Sequence, residues 1–235
     1  MTSAPLGHQV LVPGHLSAGY RLAAGALLYP EERDQDALTE CRHALESGPE
    51  GQLALLDAFF DSPRAGDPDE YLTLLELAPP CPLYLGSYLF EEPSTCRGAG
   101  ISGRNAYMLE LKAIYRHFGL EPNGAELADY LPLVVEFLDH SLTHPELDGI
   151  GLRRYLLERH VLPALPLLQA ALEKYESPYA KLIEYLRLLV EDDAASCPDP
   201  AWDPVPAGAE LPVIGAAGSR APGRLATKGK EGVSG

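Results

Sequence analysis

Apolar residues recur at helical spacing along most of the chain from His15 to Glu191. Leu16, Tyr20, Ala23, Ala24, Leu27 and Leu28 mark a first helix over His15–Tyr29, stopped by Pro30. A second helix is expected over Glu31–Glu46, its acidic start suiting the positive end of the helix dipole, with Ser47, Gly48 and Pro49 ending it. A third runs from about Glu50 to Asp61, with Leu53, Leu56, Phe59 and Phe60 inward, and a short fourth covers Asp69–Leu77. Ala78 to Pro82 reads as an extended linker. Leu83–Phe90 alternates with period two, but it is short and no partner strand is evident elsewhere, so it reads as a helix. Glu92–Gly103 is a loop and Asn105–Phe118 a helix ended by Gly119. Gly151–Glu173 is helical, with Pro163 and Pro166 predicting a break near His160–Leu162. Ser177 and Pro178 introduce a last helix over Tyr179–Glu191.

The stretch Glu121–His140 is the most informative. Pro122, Asn123 and Gly124 break the preceding helix. Asp129 is placed to cap a new one reaching about Thr143, and Pro132 is tolerated in its first turn. Leu127, Leu131, Val134, Val135, Leu138 and Leu142 share one helical face, while Glu126, Asp129, Glu136 and Asp139 lie off it. The expected fold class is all-α: a single globular helical bundle of about eight to ten helices burying their apolar stripes on one another. Residues 1–14 are expected to be a flexible arm, 15–193 the helical domain, and 194–235, rich in Ala, Gly and Pro, a disordered tail.

Charge sharpens this picture. The 235 residues are 46% hydrophobic and carry a formal net charge of −16. The tail holds four acidic and four basic residues, so the whole excess sits on residues 1–193. Such a field repels nucleic acid and anionic membranes and favours cationic partners. No apolar run is long enough for a membrane span, and the N-terminus has no secretory pattern. The four cysteines (Cys41, Cys81, Cys96, Cys197) match no zinc spacing and fit reduced thiols in the cytoplasm.

Motifs for nucleotide binding, nucleophilic elbows and zinc hydrolysis are lacking. His140 and His144, at i and i+4, form the best metal candidate, but Pro145 follows at once and no third ligand sits at suitable spacing. Cys96 beside Arg97 has no evident base partner. Arg153 and Arg154 read as a surface pair. Carboxylates beside an apolar stripe make a different kind of site. A peptide apolar along one side and carrying arginines suits it, because guanidinium groups bond carboxylates strongly.

Four patches from about Ala18 to Val190 resemble the TorD/DmsD/NarJ family of molybdoenzyme maturation chaperones. Leu27-Leu28-Tyr29-Pro30 is similar to that family's Leu-x-Tyr-Pro. Arg104-Asn105-Ala106-Tyr107-Met108, with Glu110, Leu111, Tyr115 and Gly119-Leu120 following, resembles the Arg-Gly-x-x-Met helix of the nitrate reductase branch. Glu126 to Leu138 resembles that branch's Leu-Pro-Asp-(His/Tyr)-Leu-Pro-Leu run. His160 to Pro166, with Ser177-Pro178-Tyr179, resembles elements of the TorD branch. Against the Glu-Pro-x-Asp-His signature of the TorD branch, Glu126 and Asp129 match, while Leu127 replaces the Pro and Tyr130 the His. These departures make the chain resemble more closely the nitrate reductase branch, or the related chaperones of periplasmic type II enzymes that handle selenate, chlorate, dimethyl sulfide or ethylbenzene.

The resemblance implies a cytoplasmic, non-enzymatic chaperone. It would bind the N-terminal or leader segment of an apo catalytic subunit, of nitrate reductase or a related molybdopterin oxidoreductase, and assist cofactor insertion before export or assembly. It implies no permanently bound cofactor or metal and leaves open a transient contact with the client's molybdopterin guanine dinucleotide; monomer and dimer also stay open. The peptide-binding residues implied are Tyr88, Glu126, Asp129, Tyr130, Leu131, Pro132 and Glu136. The rival readings are a metal-dependent helical hydrolase using His140 and His144, and a generic helical adaptor.

Overall fold

A computed structural model of the chain describes residues 13–91, 103–122, 124–148 and 151–198. Residues 1–12 of the expected arm, the stretch around Cys96 and residues 199–235 of the expected tail lie outside the described residues, whereas Pro13 and Gly14, expected in the arm, open the first helix and residues 194–196, expected in the tail, close the last. The first helices are α1 (Pro13–Ala26), α2 (Gln35–Leu45), α3 (Glu50–Phe60) and α4 (Pro68–Tyr71). The single turn α5 (Gly86–Leu89) is followed by α6 (Gly103–His117) and α7 (Leu131–Leu142). The chain then forms α8 (Leu152–Leu156), α9 (Leu165–Glu173) and α10 (Tyr179–Ser196). This is the all-α architecture the apolar periodicity calls for. Among the described residues the only sheet-like pairing is an isolated antiparallel bridge between Tyr84 and Tyr130.

Boundaries moved where local chemistry overrides the stripe. The expected Glu31–Glu46 helix is split. Pro30–Glu32 is one 3-10 turn, and Asp34 starts α2 by accepting a hydrogen bond from the Ala37 amide at 3.0 Å. The break expected near His160–Leu162 is a widened π turn over Leu157–Val161, closed by the Leu162 amide on the Leu157 carbonyl at 2.9 Å. Proline cannot make the α-helical bond at position 163, and the wider turn reaches it without one. Pro166 then sits in the first turn of α9, where its missing amide costs nothing. The last helix continues past Glu191, burying Asp193 and Ala194.

The centre is α1, which packs on α2, α7 and α10. Its small residues let neighbours approach closely. A Cβ at Gly19 would stand 2.7 Å from both Leu189 Cδ2 and the Tyr185 hydroxyl on α10. The α1, α7 and α10 contact faces are almost wholly apolar, with Leu22, Val134, Val135, Leu138, Leu186 and Leu189 all buried.

One polar cluster interrupts that core. Arg153 was read from the sequence as half of a surface pair; it is 5% exposed. The guanidinium pairs with Asp193, itself 2% exposed, and Asp193 also accepts the Tyr20 hydroxyl at 2.5 Å. Arg153 further donates to the Leu138 carbonyl at 2.7 Å and to Ser141. Its backbone amide donates to Asp148 at 2.7 Å, and Gly151, at φ +75°, turns the chain into α8 just before it. Burial, and then Asp193, push the Tyr20 hydroxyl far above its ordinary value, so it stays a donor. Arg154, the other half of the pair, meets Glu158 one turn on at 2.8 Å. No helix among the described residues is long and apolar enough to cross a membrane.

Removing one member of a buried ion pair strands the other without compensation. Arg153→Met is therefore expected to cost about 3–5 kcal/mol in urea unfolding. Arg154→Met, which removes a partly exposed pair, is expected to cost under about 1 kcal/mol. Equal losses in the two variants would show that the cluster does not hold the helices together.

Candidate functional site

The turn leading into α7 is built by pairing across the chain. The Leu85 amide donates to the Asp129 carbonyl at 2.9 Å, and the Leu131 amide to the Leu83 carbonyl at 2.7 Å. The alternation in Leu83–Phe90 is thus a real extended segment at its start, with Leu83 and Leu85 buried and Tyr84 half-buried; only Gly86–Leu89 is helical. Its partner is the segment just before α7, which carries no strand pattern of its own.

Asp129 does not cap α7. The capping position falls to Tyr130, which makes no side-chain cap bond, and Pro132 occupies the first turn. The Asp129 side chain is fully buried and turned the other way. It accepts the Gly86 amide at 3.0 Å and pairs with Arg104 at 3.1 Å. The carboxylate expected to meet an incoming arginine meets the chain's own. Gly86 is required by this approach: a Cβ there would lie 2.6 Å from Asp129 Oδ2 and 3.0 Å from Arg104 Nε. The Tyr115 hydroxyl donates to the Ala128 carbonyl at 2.8 Å and ties the same turn to α6.

This buried anchor displays its neighbours. Glu126 is exposed and accepts the Tyr84 hydroxyl at 2.7 Å. The Tyr84 and Tyr130 rings lie 5.3 Å apart. Burial pushes the Tyr130 hydroxyl up, a hydrogen bond with Tyr71 pulls it back, and the carboxylates of Glu76, Glu126 and Glu32 push it up further. Burial, and then Glu126, likewise raise Tyr84, with Glu76 adding to both. Next in sequence to these carboxylates are two exposed leucines, Leu77 at 68% and Leu127 at 47%. The apolar spacing puts Leu127 on the inward face of α7, but the helix begins only after it, so the helical register never reaches it. The result is an aromatic and acidic edge.

The other candidate residues separate. Leu131 and Pro132 are buried beneath this edge. Tyr88 is half-buried in α5, with its hydroxyl enclosed and unpartnered among the described residues. Glu136 belongs to a different place, a cleft of about 370 Å³ between the end of α6 and α7, walled by Tyr115, Leu120, Leu133 and Phe137. His140 lies at that cleft too. Its ring packs on His144 with centroids 4.3 Å apart, and His144 Nδ1 lies 3.1 Å from the His140 carbonyl. No group of three or more His, Cys, Asp or Glu among the described residues is arranged to hold a metal ion.

Three contributors were missed by sequence reasoning: Tyr84, Glu76 and Arg104. Tyr84 carried a legible signal in the alternation of its segment. Glu76 carried none, and Arg104 stood in the Arg104–Met108 patch with nothing there to link it to Asp129, 25 residues on.

Similarity to known proteins follows the same region. The pattern of the family described as nitrate reductase delta subunit matches residues 43–183. The chain is 35% identical over 83 residues to the nitrate reductase molybdenum cofactor assembly chaperone NarJ of Escherichia coli (strain K12), and equally to that of Escherichia coli O157:H7. The alignment covers 35% of this chain and 32% of each relative, so the chain matches these curated relatives over about a third of their length.

Gly86→Ala is expected to cost about 1–3 kcal/mol, because its methyl must displace Asp129 or Arg104. Gly51→Ala, on α3 with nothing within 4 Å of the added atom, is expected to gain about 0.5–1 kcal/mol. Thermal or urea unfolding of both variants checks the contrast. A neutral Gly86→Ala would mean that the turn is not clamped.

Proposed function

Because the chain belongs to the nitrate reductase delta subunit family, we propose that it is a cytoplasmic chaperone for assembly of a molybdenum enzyme. In this reading it binds the N-terminal segment of the apo catalytic subunit of nitrate reductase, or of a related molybdopterin oxidoreductase. It keeps that subunit open to insertion of the molybdenum cofactor before export or assembly. The function is binding rather than catalysis.

The observation that carries this reading is the edge at Tyr84, Tyr130 and Glu126, with Glu32 and Glu76 near Tyr130. A basic and apolar segment finds there what it needs. Tyrosine rings offer apolar area, cation–π faces and hydroxyls with little conformational freedom to lose. Carboxylates bond guanidinium groups, and the net charge of −16 steers cations toward the surface. Glu126 and Tyr130 make contact. Asp129, Leu131 and Pro132 act from beneath, holding the turn that presents them. Tyr88 supports the same region from α5.

Calorimetry tests this with a synthetic peptide copying the N-terminus of the catalytic subunit encoded beside this chain. Binding at micromolar peptide and low salt is expected, weakening as salt rises. A Glu76→Gln, Glu126→Gln double variant should weaken it about tenfold while melting close to wild type, and Tyr130→Ala should weaken it as much but also melt lower, because its ring packs on Tyr84 and the core. No heat with the wild-type protein would overturn the reading.

A further inference from the structure

The α6–α7 cleft is separate from the Tyr130 edge and has a lining of unusual composition. Its floor is aromatic. Tyr115 and Phe137 are buried with centroids 4.7 Å apart, and Phe118 meets Phe137 edge-on at 5.3 Å. Leu120 and Leu133 are only partly covered by the rest of the protein. At about 370 Å³ the space is at the small end of ligand sites, which run from about 300 to 1,000 Å³.

The charges around it are unequal. Glu121 is satisfied by Arg116 at 2.6 Å. Asp139, one turn from the cleft, accepts the Ser17 hydroxyl at 2.5 Å. His140 is stacked on His144. Glu136 has no ion pair or hydrogen bond of its own among the described residues. Although exposed, it lies close enough to the apolar wall for burial to push its carboxyl up. A carboxylate held beside aromatic and aliphatic surface, with no cation paired to it among the described residues, is the half of an interaction that a ligand completes.

We propose that this cleft receives one bulky apolar side chain of the bound polypeptide, with a neighbouring lysine or arginine pairing with Glu136. The apolar walls take the first group and the unpaired carboxylate takes the second. This rests on the reading of the chain as a binder of a basic, apolar segment, and it adds a second anchor apart from the Tyr130 edge. Two anchors joined by one peptide raise each other's effective concentration, so a segment reaching both is held more tightly than either contact alone predicts.

The experiment uses the full chain, the same synthetic peptide, and a twin with every lysine and arginine replaced by glutamine. Affinity comes from calorimetry. Occupancy of the cleft comes from the NMR signals of the His140 ring, which no residue of the Tyr130 edge touches. Peptide is expected to shift those signals in step with the heat. Glu136→Gln should weaken binding about tenfold without lowering the melting temperature, and the glutamine twin should no longer distinguish it from wild type. Full heat with unmoved His140 signals, or equal affinity of Glu136→Gln and wild type for the basic peptide, would overturn the cleft and leave the chaperone reading standing. No heat from the wild type would remove the chaperone reading, and this inference with it.

Discussion

The buried pair of Arg153 and Asp193 fixes the relative positions of α1, α7, α8 and α10. Two charges taken out of water are costly, and attraction between them repays that cost only when their remaining hydrogen-bonding capacity is also met. Here the Tyr20 hydroxyl from α1 and the Leu138 carbonyl and Ser141 from one turn of α7 meet it. Apolar faces slide on one another at small cost, whereas this cluster forms in one arrangement only. The apolar core supplies most of the driving force, and the cluster selects which packing that force produces.

A second cluster of the same kind works at the other end of α7. Arg104 and Gly86 hold the Asp129 carboxylate, and the paired backbones of Leu83–Leu85 and Asp129–Leu131 hold the turn. With α7 gripped at its C-terminal turns by Arg153 and before its first turn by Asp129, the residues between and beside these anchors are displayed rigidly. Tyr130 and Glu126 face one side, and Glu136 and His140 border the cleft. A binding surface gains from such rigidity because less freedom is lost when a ligand arrives. The polar groups inside this protein therefore serve to place those at its surface.

Much of the fold was legible in the sequence. Stripes such as Leu131, Val134, Val135 and Leu138 report a helix and its inward face together, because helical period and burial are both local patterns. Pro166, Pro163 and Gly119 marked ends and breaks through the backbone geometry they impose. The candidate site was legible in part. Glu126 lies exposed with Tyr130 half-buried near it, whereas Asp129, expected to cap a helix and to meet an arginine of a peptide, and Arg153, expected at the surface, are both buried. Both errors have one origin: an isolated Asp or Arg in a sequence looks solvated until its partner is known. Asp129 and Arg104 are far apart along the chain, as are Arg153 and Asp193, and no spacing rule links either pair.

By itself, then, the sequence determined an all-helical fold, an acidic composition and the order of its helices. These follow from period, composition and turn chemistry, each a property of neighbouring residues. Only the tertiary structure decided which carboxylates face outward and which are spent inside, that Tyr84 pairs with Tyr130, and that Glu136 borders a cleft of its own. Those outcomes depend on which distant side chain arrives within about 3 Å, since a charge is exposed or buried, free or neutralised, according to a partner that packing alone brings to it.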